Sequence, residues 1–441
     1  MIKVITYGTY DFLHHGHIRL LERAKALGDY LIVGVTSDDF DKTRGKINVQ
    51  QSLEERIAAV QATGIADKVI IEEYEGQKID DIRRYGVDIF TVGSDWVGLF
   101  DYLNEYCKVV YLPRTEGVSS SEIRSSSSKV KLGLVGYSSF LNKFYNESKY
   151  VNAIDVVGLC SSDFSKLTEI AGELGFITES YDDILDRVDA VYIHSHPVLH
   201  YEQCKKAILS GKHVLCESPI AKTEAECKEL FELASDRNCV LMEGIRTAYL
   251  TAYSRLLLLL KAGKIGRIVS LDATCTSLST YGNFSDKSKK WGALEAWGPT
   301  AMLPVFQILG TNYSELRSFS VPDDDGSTAD GFTKLNFGYK TSTASIKVGT
   351  CVKSESDLIV SGSHGYAYIP SPWWKTDYFE LRYENPTDNK RYFYQVDGEG
   401  IRYELVELVS AIKDGRSDYY ITRNVTQCIS KTIEEVERGR K

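Results

Sequence analysis

Short apolar runs and longer amphipathic stretches alternate along residues 1–112. KVITYG, DYLIVGV, KVIIEE, DIFTVG and KVVYLP are nearly continuous in apolar and β-branched residues, as strands buried on both faces are. From about Gly16 to Leu27 and from about Leu53 to Ala62, apolar residues return every three or four positions and predict helices. That alternation predicts a parallel sheet covered on both faces, with ligands at the carboxyl ends of its strands. The pattern stops at a serine cluster and starts again with KLGLVGY, AIDVVGLCSS, AVYIHSH, KHVLCES and VLMEGIR, with helical patterns between them, which predicts a second doubly wound domain. Beyond about residue 246 the chain turns β-rich, in RIVSLDATCTS, TKLNFGY, TASIKVGTCV, DYFELRYE and KRYFYQV. Two helical patterns near Arg402 to Lys413 and Asn424 to Arg438 close it. The expected organisation is α/β throughout the first half, with a domain at 1–124, a Ser-rich linker at 125–129 and a domain at 130–246, followed by an α+β open-sheet domain at 247–441.

The length of 441 residues agrees with about three folding units. No apolar run approaches the roughly 20 residues of a membrane span. MIKVITYG reads as a buried strand, not as a secretion signal, so a cytoplasmic protein without membrane insertion is expected. Nine cysteines are scattered without Cys-x-x-Cys spacing, as reduced core thiols are. A net charge of −9 speaks against nucleic acid as a partner.

Candidate chemistry begins in GTYDFLHHGHIRLLERAKALGDY, where Gly8 ends the first strand and His14 and His17 flank Gly16 at a helix start. A helix N-terminus offers unpaired N–H groups and the positive end of a dipole. Gly16 lets backbone approach an anion, and imidazoles donate to phosphoryl oxygens. The basic loop KTRGK adds Arg44 and Lys46. Together with Gly93-Ser94-Asp95-Trp96 and Arg114-Thr115-Glu116-Gly117-Val118-Ser119-Ser120-Ser121, this stretch resembles the HxGH nucleotidyltransferases and, more closely, the glycerol-3-phosphate cytidylyltransferase family, over nearly all of residues 1–124. The resemblance implies CTP and a small phosphorylated polyol or sugar as partners, with Mg2+ accompanying CTP and no protein metal ligands. It implies His14, His17, Lys46 and Arg114 as catalytic residues, and Gly8, Thr9, Tyr10, Asp11, Gly16, Arg44, Asp95, Thr115, Ser119 and Ser120 as nucleotide-binding residues. Two departures concern the acceptor: Arg44 stands where the family has lysine, and Ala62-Thr63-Gly64-Ile65 lacks the family's arginine.

KLGLVGYSSFLNKF occupies a dinucleotide-binding turn, yet only Gly136 of the three glycines is present, with Ser138 and Leu141 in the other two places. Downstream, AVYIHSHPVLHYEQCKKAILSGKHVLCESPIAKTEAE, LMEGIR, AGKIGRIVSLDA and WGALEAWGPT resemble the glucose–fructose oxidoreductase and inositol dehydrogenase family (Gfo/Idh/MocA) over roughly residues 130–441. That resemblance implies a Rossmann domain holding NAD(P)H through Gly136, Ser138, Ser162, His196, Glu217 and Pro219, with substrate against the C-terminal sheet. The family's catalytic positions all depart: Ser218 replaces the lysine of Glu-Lys-Pro, Ala296 an aspartate, and Thr300 a histidine or tyrosine. Two readings stay open. One is a reductase of a ketose phosphate or CDP-sugar with a relocated proton donor, for which His200 and Lys222 are the candidates, with His194, His196, Glu243 and Tyr249 nearby. The other is a redox-inactive domain serving oligomerisation or ligand binding. SHGYAYIPSPWWKTDYFELR and the family habit predict a homo-oligomer, dimer or tetramer, through the sheet domain. The expected whole is a fused enzyme making a CDP-linked precursor for a surface polysaccharide or a teichoic-acid-like polymer.

Overall fold

The computed structural model describes residues 1–113, 129–278, 291–323, 329–394, 396–416 and 419–440, apart from residues 45 and 75. The chain divides into two compact units, Met1–Ser128 and Lys129–Lys441.

In the first unit the strands β1 (Lys3–Gly8), β2 (Tyr30–Thr36), β3 (Lys68–Glu72), β4 (Ile89–Gly93) and β5 (Lys108–Leu112) form one sheet in the order β3-β2-β1-β4-β5. Every pairing is parallel, as the apolar runs predict. The helices are α1 (His15–Lys25), α2 (Asp38–Thr43), α3 (Leu53–Ala62) and α4 (Gln77–Tyr85). Two apolar clusters sandwich the sheet, one around Val4, Leu21 and Leu31, the other around Ile5, Ile32 and Phe90. α3 starts on a capping box in which the Ser52 hydroxyl and the Glu55 carboxylate exchange bonds with each other's backbone N–H. The amphipathic reading omits α2 and α4. The first spans only six residues, DDFDKT, and the second, QKIDDIRRY, has just Ile79, Ile82 and Tyr85 to mark its buried side.

The second unit opens with β6 (Val130–Gly136), β7 (Ile154–Cys160), β8 (Ile177–Thr178), β9 (Ala190–His194), β10 (His213–Glu217) and β11 (Leu241–Gly244), a parallel sheet in the order β11-β10-β9-β6-β7-β8. Its helices are α5 (Phe140–Ser148), α6 (Thr168–Glu173), α7 (Tyr181–Leu185), α8 (Pro197–Leu209) and α9 (Glu224–Asp236). Next come α10 (Thr251–Lys261) and α11 (Ala293–Leu309), which pack on an eight-stranded sheet, and the closing helices α12 (Ile401–Asp414), packed on α5, and α13 (Arg423–Gly439), packed on α9 and α11. That sheet runs β13 (Glu315–Pro322), β14 (Asp330–Gly338), β15 (Thr343–Gly349), β12 (Ile268–Thr276), β16 (Leu358–Gly362), β17 (Tyr366–Ile369), β18 (Tyr378–Arg382) and β19 (Lys390–Phe393). It is antiparallel except where β12 meets β15. α11 packs against β12, β14 and β15 on the face that buries Leu271, Leu335 and Ile346. The chain therefore adopts the expected α/β architecture followed by a mostly antiparallel open sheet. α11 is absent from the pattern reading because Pro299 and Pro304 lie inside it, and β13 because its residues ELRSFSVP are almost all exposed. No helix among the described residues is long and apolar enough to cross a membrane.

Candidate functional site

At the carboxyl ends of β1 and β4 a cavity of about 500 Å³ opens. Gly8, Thr9, Tyr10, Asp11, His14, Gly16, His17, Arg44, Lys46 and Asp95, ten residues singled out from sequence, all line it. Arg114, Thr115, Ser119 and Ser120 lie outside the described residues. The strand-to-helix turn is strained: Tyr10 and Phe12 have φ of 55° and 47°, left-handed values that cost about 1–3 kcal/mol each in a non-glycine residue. Tyr10 folds over Gly8, where a Cβ would meet its ring at 2.9 Å. Asp11 anchors the turn to the start of α3, its Oδ1 accepting the N–H groups of Gln50 at 3.2 Å and Gln51 at 3.0 Å.

His14 caps α1: its Nδ1 accepts the Gly16 N–H at 3.1 Å. In a neutral ring that bond places the proton on Nε2, which becomes the donor. His17 stacks on His14 with ring centroids 3.9 Å apart, and Tyr10 meets His17 edge-on at 5.5 Å.

The basic loop is organised by a buried network the sequence reading did not include. Lys46 Nζ donates to Thr9 Oγ1 at 2.9 Å, and the Thr9 hydroxyl donates to Asp41 Oδ1 at 2.7 Å. The Asp41 carbonyl oxygen accepts the N–H groups of both Arg44 and Lys46. Burial pushes the Asp41 carboxyl up to about 6, against the opposing pull of Lys46, Thr9, Arg56 and Arg44. Arg56, fully buried, donates through Nη1 to the carbonyls of Thr9 at 2.7 Å and Thr36 at 2.8 Å and pairs with Asp38. The Arg44 guanidinium lies 5.5 Å from the Trp96 ring and Lys46 6.0 Å from it. Lys78, on α4, also lines the cavity, paired with the fully buried Glu72 and 4.8 Å from the Tyr7 ring. Two histidines, three cationic side chains and a helix start thus converge on one concave surface, an arrangement suited to several phosphoryl groups. Thr63, by contrast, turns its hydroxyl to the Val60 carbonyl at 2.7 Å, and the Ala62–Ile65 segment has no Lys or Arg. Among the described residues no group of three or more His, Cys, Asp or Glu side chains could hold a metal ion.

In the second unit, Gly136 has φ 145°, and a Cβ there would lie 2.2 Å from the His194 carbonyl oxygen. This glycine holds the ends of β6 and β9 together at the crossover of the sheet, where α/β folds bind nucleotides. The start of α5 follows directly, so a tight glycine turn and an amide-rich helix end are both present and fit a dinucleotide. Ser138 departs from the glycine pattern by accepting the Phe140 N–H at 3.2 Å through its own Oγ, and Leu141 is fully buried in the third glycine's place. The Phe140 ring sits 5.0 Å from that of His194 and 4.5 Å from the Arg246 guanidinium. Ser162 is exposed just past the end of β7. His196 caps α8 by accepting the Val198 N–H, and its ring meets Trp291 edge-on at 5.4 Å. Glu217 accepts the Tyr192 hydroxyl at 2.5 Å.

Neither sequence candidate for the second proton donor suits that role. His200 is fully buried, with Nδ1 2.8 Å from the Pro219 carbonyl oxygen and Nε2 3.1 Å from that of Ser195. Burial pushes its pKa down to about 4, so the ring is neutral, carries one N–H and donates it to one of these two backbone carbonyls. Lys222 is held at 2.7 Å by Glu295, and the neighbouring carboxylates raise its pKa over the opposing effect of burial, making it a weaker acid.

Comparison with known proteins matches both units. Residues 5–126 fit the family model described as cytidylyltransferase-like, and residues 130–245 the one described as oxidoreductase family, NAD-binding Rossmann fold. A glycerol-3-phosphate cytidylyltransferase of Bacillus subtilis is 49% identical over 124 residues, 28% of this chain and 95% of that enzyme. A dTDP-3,4-didehydro-2,6-dideoxy-alpha-D-glucose 3-reductase of Streptomyces violaceoruber is 39% identical over 100 residues, 22% of this chain and 29% of the reductase. Among solved structures, a 3-ketoreductase from Actinomadura kijaniata in complex with TDP-benzene and NADP aligns with a TM-score of 0.62. It covers 71% of this chain and 98% of its own at 18% identity, a likeness of fold.

Proposed function

Because the chain belongs to the cytidylyltransferase family through its first unit and carries an oxidoreductase-family Rossmann fold behind it, we propose that it moves CMP from CTP to a small phosphorylated polyol or sugar, releasing pyrophosphate. The observation that carries this reading is the His14–His17 stack set beside Arg44 and Lys46 in one cavity. An acceptor phosphate oxygen attacks the α-phosphorus of CTP, the new P–O bond forms, and the bond to the β-phosphate bridging oxygen breaks. Such transfers depend on positioning and on neutralising charge that builds on phosphoryl oxygens. His14 offers Nε2–H from a ring fixed by Gly16, His17 lies parallel to it, and Lys46 is braced by Thr9. Mg2+ would arrive on the triphosphate and shield its charge. Arg44 presents a planar fork to the acceptor phosphate, a geometry distinct from a lysine point charge.

The second unit would reduce a ketose phosphate or a CDP-sugar with NAD(P)H, so that one chain prepares and activates a precursor of a surface polysaccharide or teichoic-acid-like polymer. Gly136, Ser138 and the start of α5 would hold the pyrophosphate, with Ser162, His196, Glu217 and Pro219 along the rest of the crevice. Bound nicotinamide supplies a hydride. A second reading, a redox-inactive domain serving oligomerisation or ligand binding, draws on the Ser138 cap, which occupies an N–H that glycine would leave to a phosphate. We place the boundaries at 124 and 246, a homo-oligomer through the sheet domain, and the protein in the cytoplasm.

The experiment is CTP with a panel of polyol and sugar phosphates, followed by pyrophosphate release, in parallel with fluorescence titration of NADPH. Pyrophosphate with at least one acceptor is expected, and none with any acceptor overturns the transfer. Saturable NADPH binding is expected, and its absence selects the redox-inactive reading.

A further inference from the structure

Ser218 follows the last residue of β10, in the place where the resembling family has its lysine, and its hydroxyl is hydrogen-bonded to the Glu243 carboxylate. Glu243 lies in β11, in register with Cys216 of β10, and is 2% exposed, whereas Ser218 is only half-buried. The other Glu243 oxygen, Oε2, has no hydrogen-bond partner. Thr426 of α13 faces it without reaching hydrogen-bond geometry, and its own hydroxyl is likewise without a partner. A buried acid thus stands behind a more accessible hydroxyl, at the end of a strand on the far side of the β6–β9 crossover from the Gly136 turn. In a doubly wound sheet the two halves of a dinucleotide lie on opposite sides of that crossover.

We propose that Ser218 and Glu243 form a proton relay serving a carbonyl substrate in the second unit, with Ser218 donating to the carbonyl oxygen and Glu243 acting through it. The relay rests on the reductase reading of that unit. The carbonyl carbon gains the hydride supplied by reduced nicotinamide, and its oxygen gains the Ser218 proton. Ser218 recovers a proton from the Glu243 carboxyl, and the resulting carboxylate is reprotonated by water after the alcohol leaves. A serine hydroxyl alone is too weak an acid for neutral pH; a carboxyl that keeps its proton there removes the difficulty. Burial pushes Glu243 up to about 7, with Glu217 adding like charge and Ser218, Thr426 and the Ile220 N–H opposing. From α9, the Cys227 thiol faces it, and from the turn after β11 the Tyr249 hydroxyl bonds its backbone carbonyl. His200 and Lys222, being committed elsewhere, leave Ser218 as the acid at this strand end.

The full-length chain allows three readouts. Infrared difference spectra between wild type and Glu243→Gln should show a protonated carboxyl band that titrates with a midpoint near pH 7 and shifts in frequency in Ser218→Ala. A Glu243 carboxyl ionised throughout pH 5–9, or a band indifferent to Ser218→Ala, overturns the relay without any turnover being needed. In NADPH-dependent reduction of ketose phosphates, Ser218→Ala should lower the rate by about 10²–10⁴-fold, the usual contribution of a positioned acid, and Glu243→Gln should flatten the pH profile around 7. Both variants should bind NADPH with wild-type affinity. Wild-type rates and profiles in both variants overturn the relay alone; failure of the wild type itself to bind NADPH overturns the reductase reading and the relay with it.

Discussion

His14 and His17 lie face to face, ring centroids 3.9 Å apart and planes 22° from parallel, while the amide of Gly16 between them in sequence bonds the first ring. One helix start therefore fixes two imidazoles as a unit. Replacing His17 by alanine should lower CMP transfer by about 10²–10³-fold, the scale for losing one positioned donor. Pyrophosphate release measures this. NADPH binding by the same variant should be unchanged, and an equal loss of both would argue against two independent sites.

Asp41 joins the strand-end turn to the basic loop through Thr9 and Lys46. Asp41→Ala should raise KM for CTP or the acceptor by about tenfold or more, since Thr9 and Lys46 lose a buried partner worth about 1–3 kcal/mol. The carboxyl also carries a pH signature. Its folded value, about 6, lies above the ordinary 3.8, so its favourable contribution to stability is complete below about 3.8 and is lost as pH rises through 6. Denaturant titrations at pH 4 and pH 7 should show the wild type losing stability relative to Asp41→Asn between those values.

Gly136→Ala should destabilise the second unit by about 2–4 kcal/mol, because a methyl group would lie 2.2 Å from the His194 carbonyl oxygen in a backbone with φ 145°. Pyrophosphate release by the first unit should survive at temperatures where tryptophan fluorescence shows the second unit already unfolded.

Lys78 tests whether a buried pair can be separated from ligand affinity. Lys78→Met leaves the fully buried Glu72 facing only Arg44 at 3.5 Å among cations and should cost about 3–5 kcal/mol. Adding Glu72→Gln should restore much of that stability in thermal melts. The acceptor KM should stay elevated in the double variant, because the cavity has still lost a cation.

What could be read from the sequence follows the physics of each element. KVITYG and KHVLCES announce themselves because both faces are apolar, TASIKVGTCV by its alternation of apolar and polar residues, and all three contain strands of the structure. His14, His17 and Gly16 are legible because their function depends on local spacing at one helix start. α4 and β13 are not, since a short polar helix and an exposed edge strand carry little periodicity. Asp41–Thr9 and Glu243–Ser218 were beyond reach for another reason: their partners are 32 and 25 residues apart, and only tertiary packing brings them together. Lys78 hid differently: it is only six residues from Glu72, but its burial on a short polar helix against the end of β3 leaves no periodic signal. His200 shows the converse, a residue type rich in chemistry that the fold buries as a neutral ring between two backbone carbonyls.

The central claim is CMP transfer at the His14–His17 cavity, and ³¹P NMR of CTP with glycerol 3-phosphate and with a set of polyol and sugar phosphates tests it directly. The expected spectrum shows free pyrophosphate growing in step with the paired resonances of a CDP-linked diphosphate, and neither in His17→Ala on the same timescale. Unchanged CTP with every acceptor, or CTP hydrolysed without a diphosphate product, would contradict it.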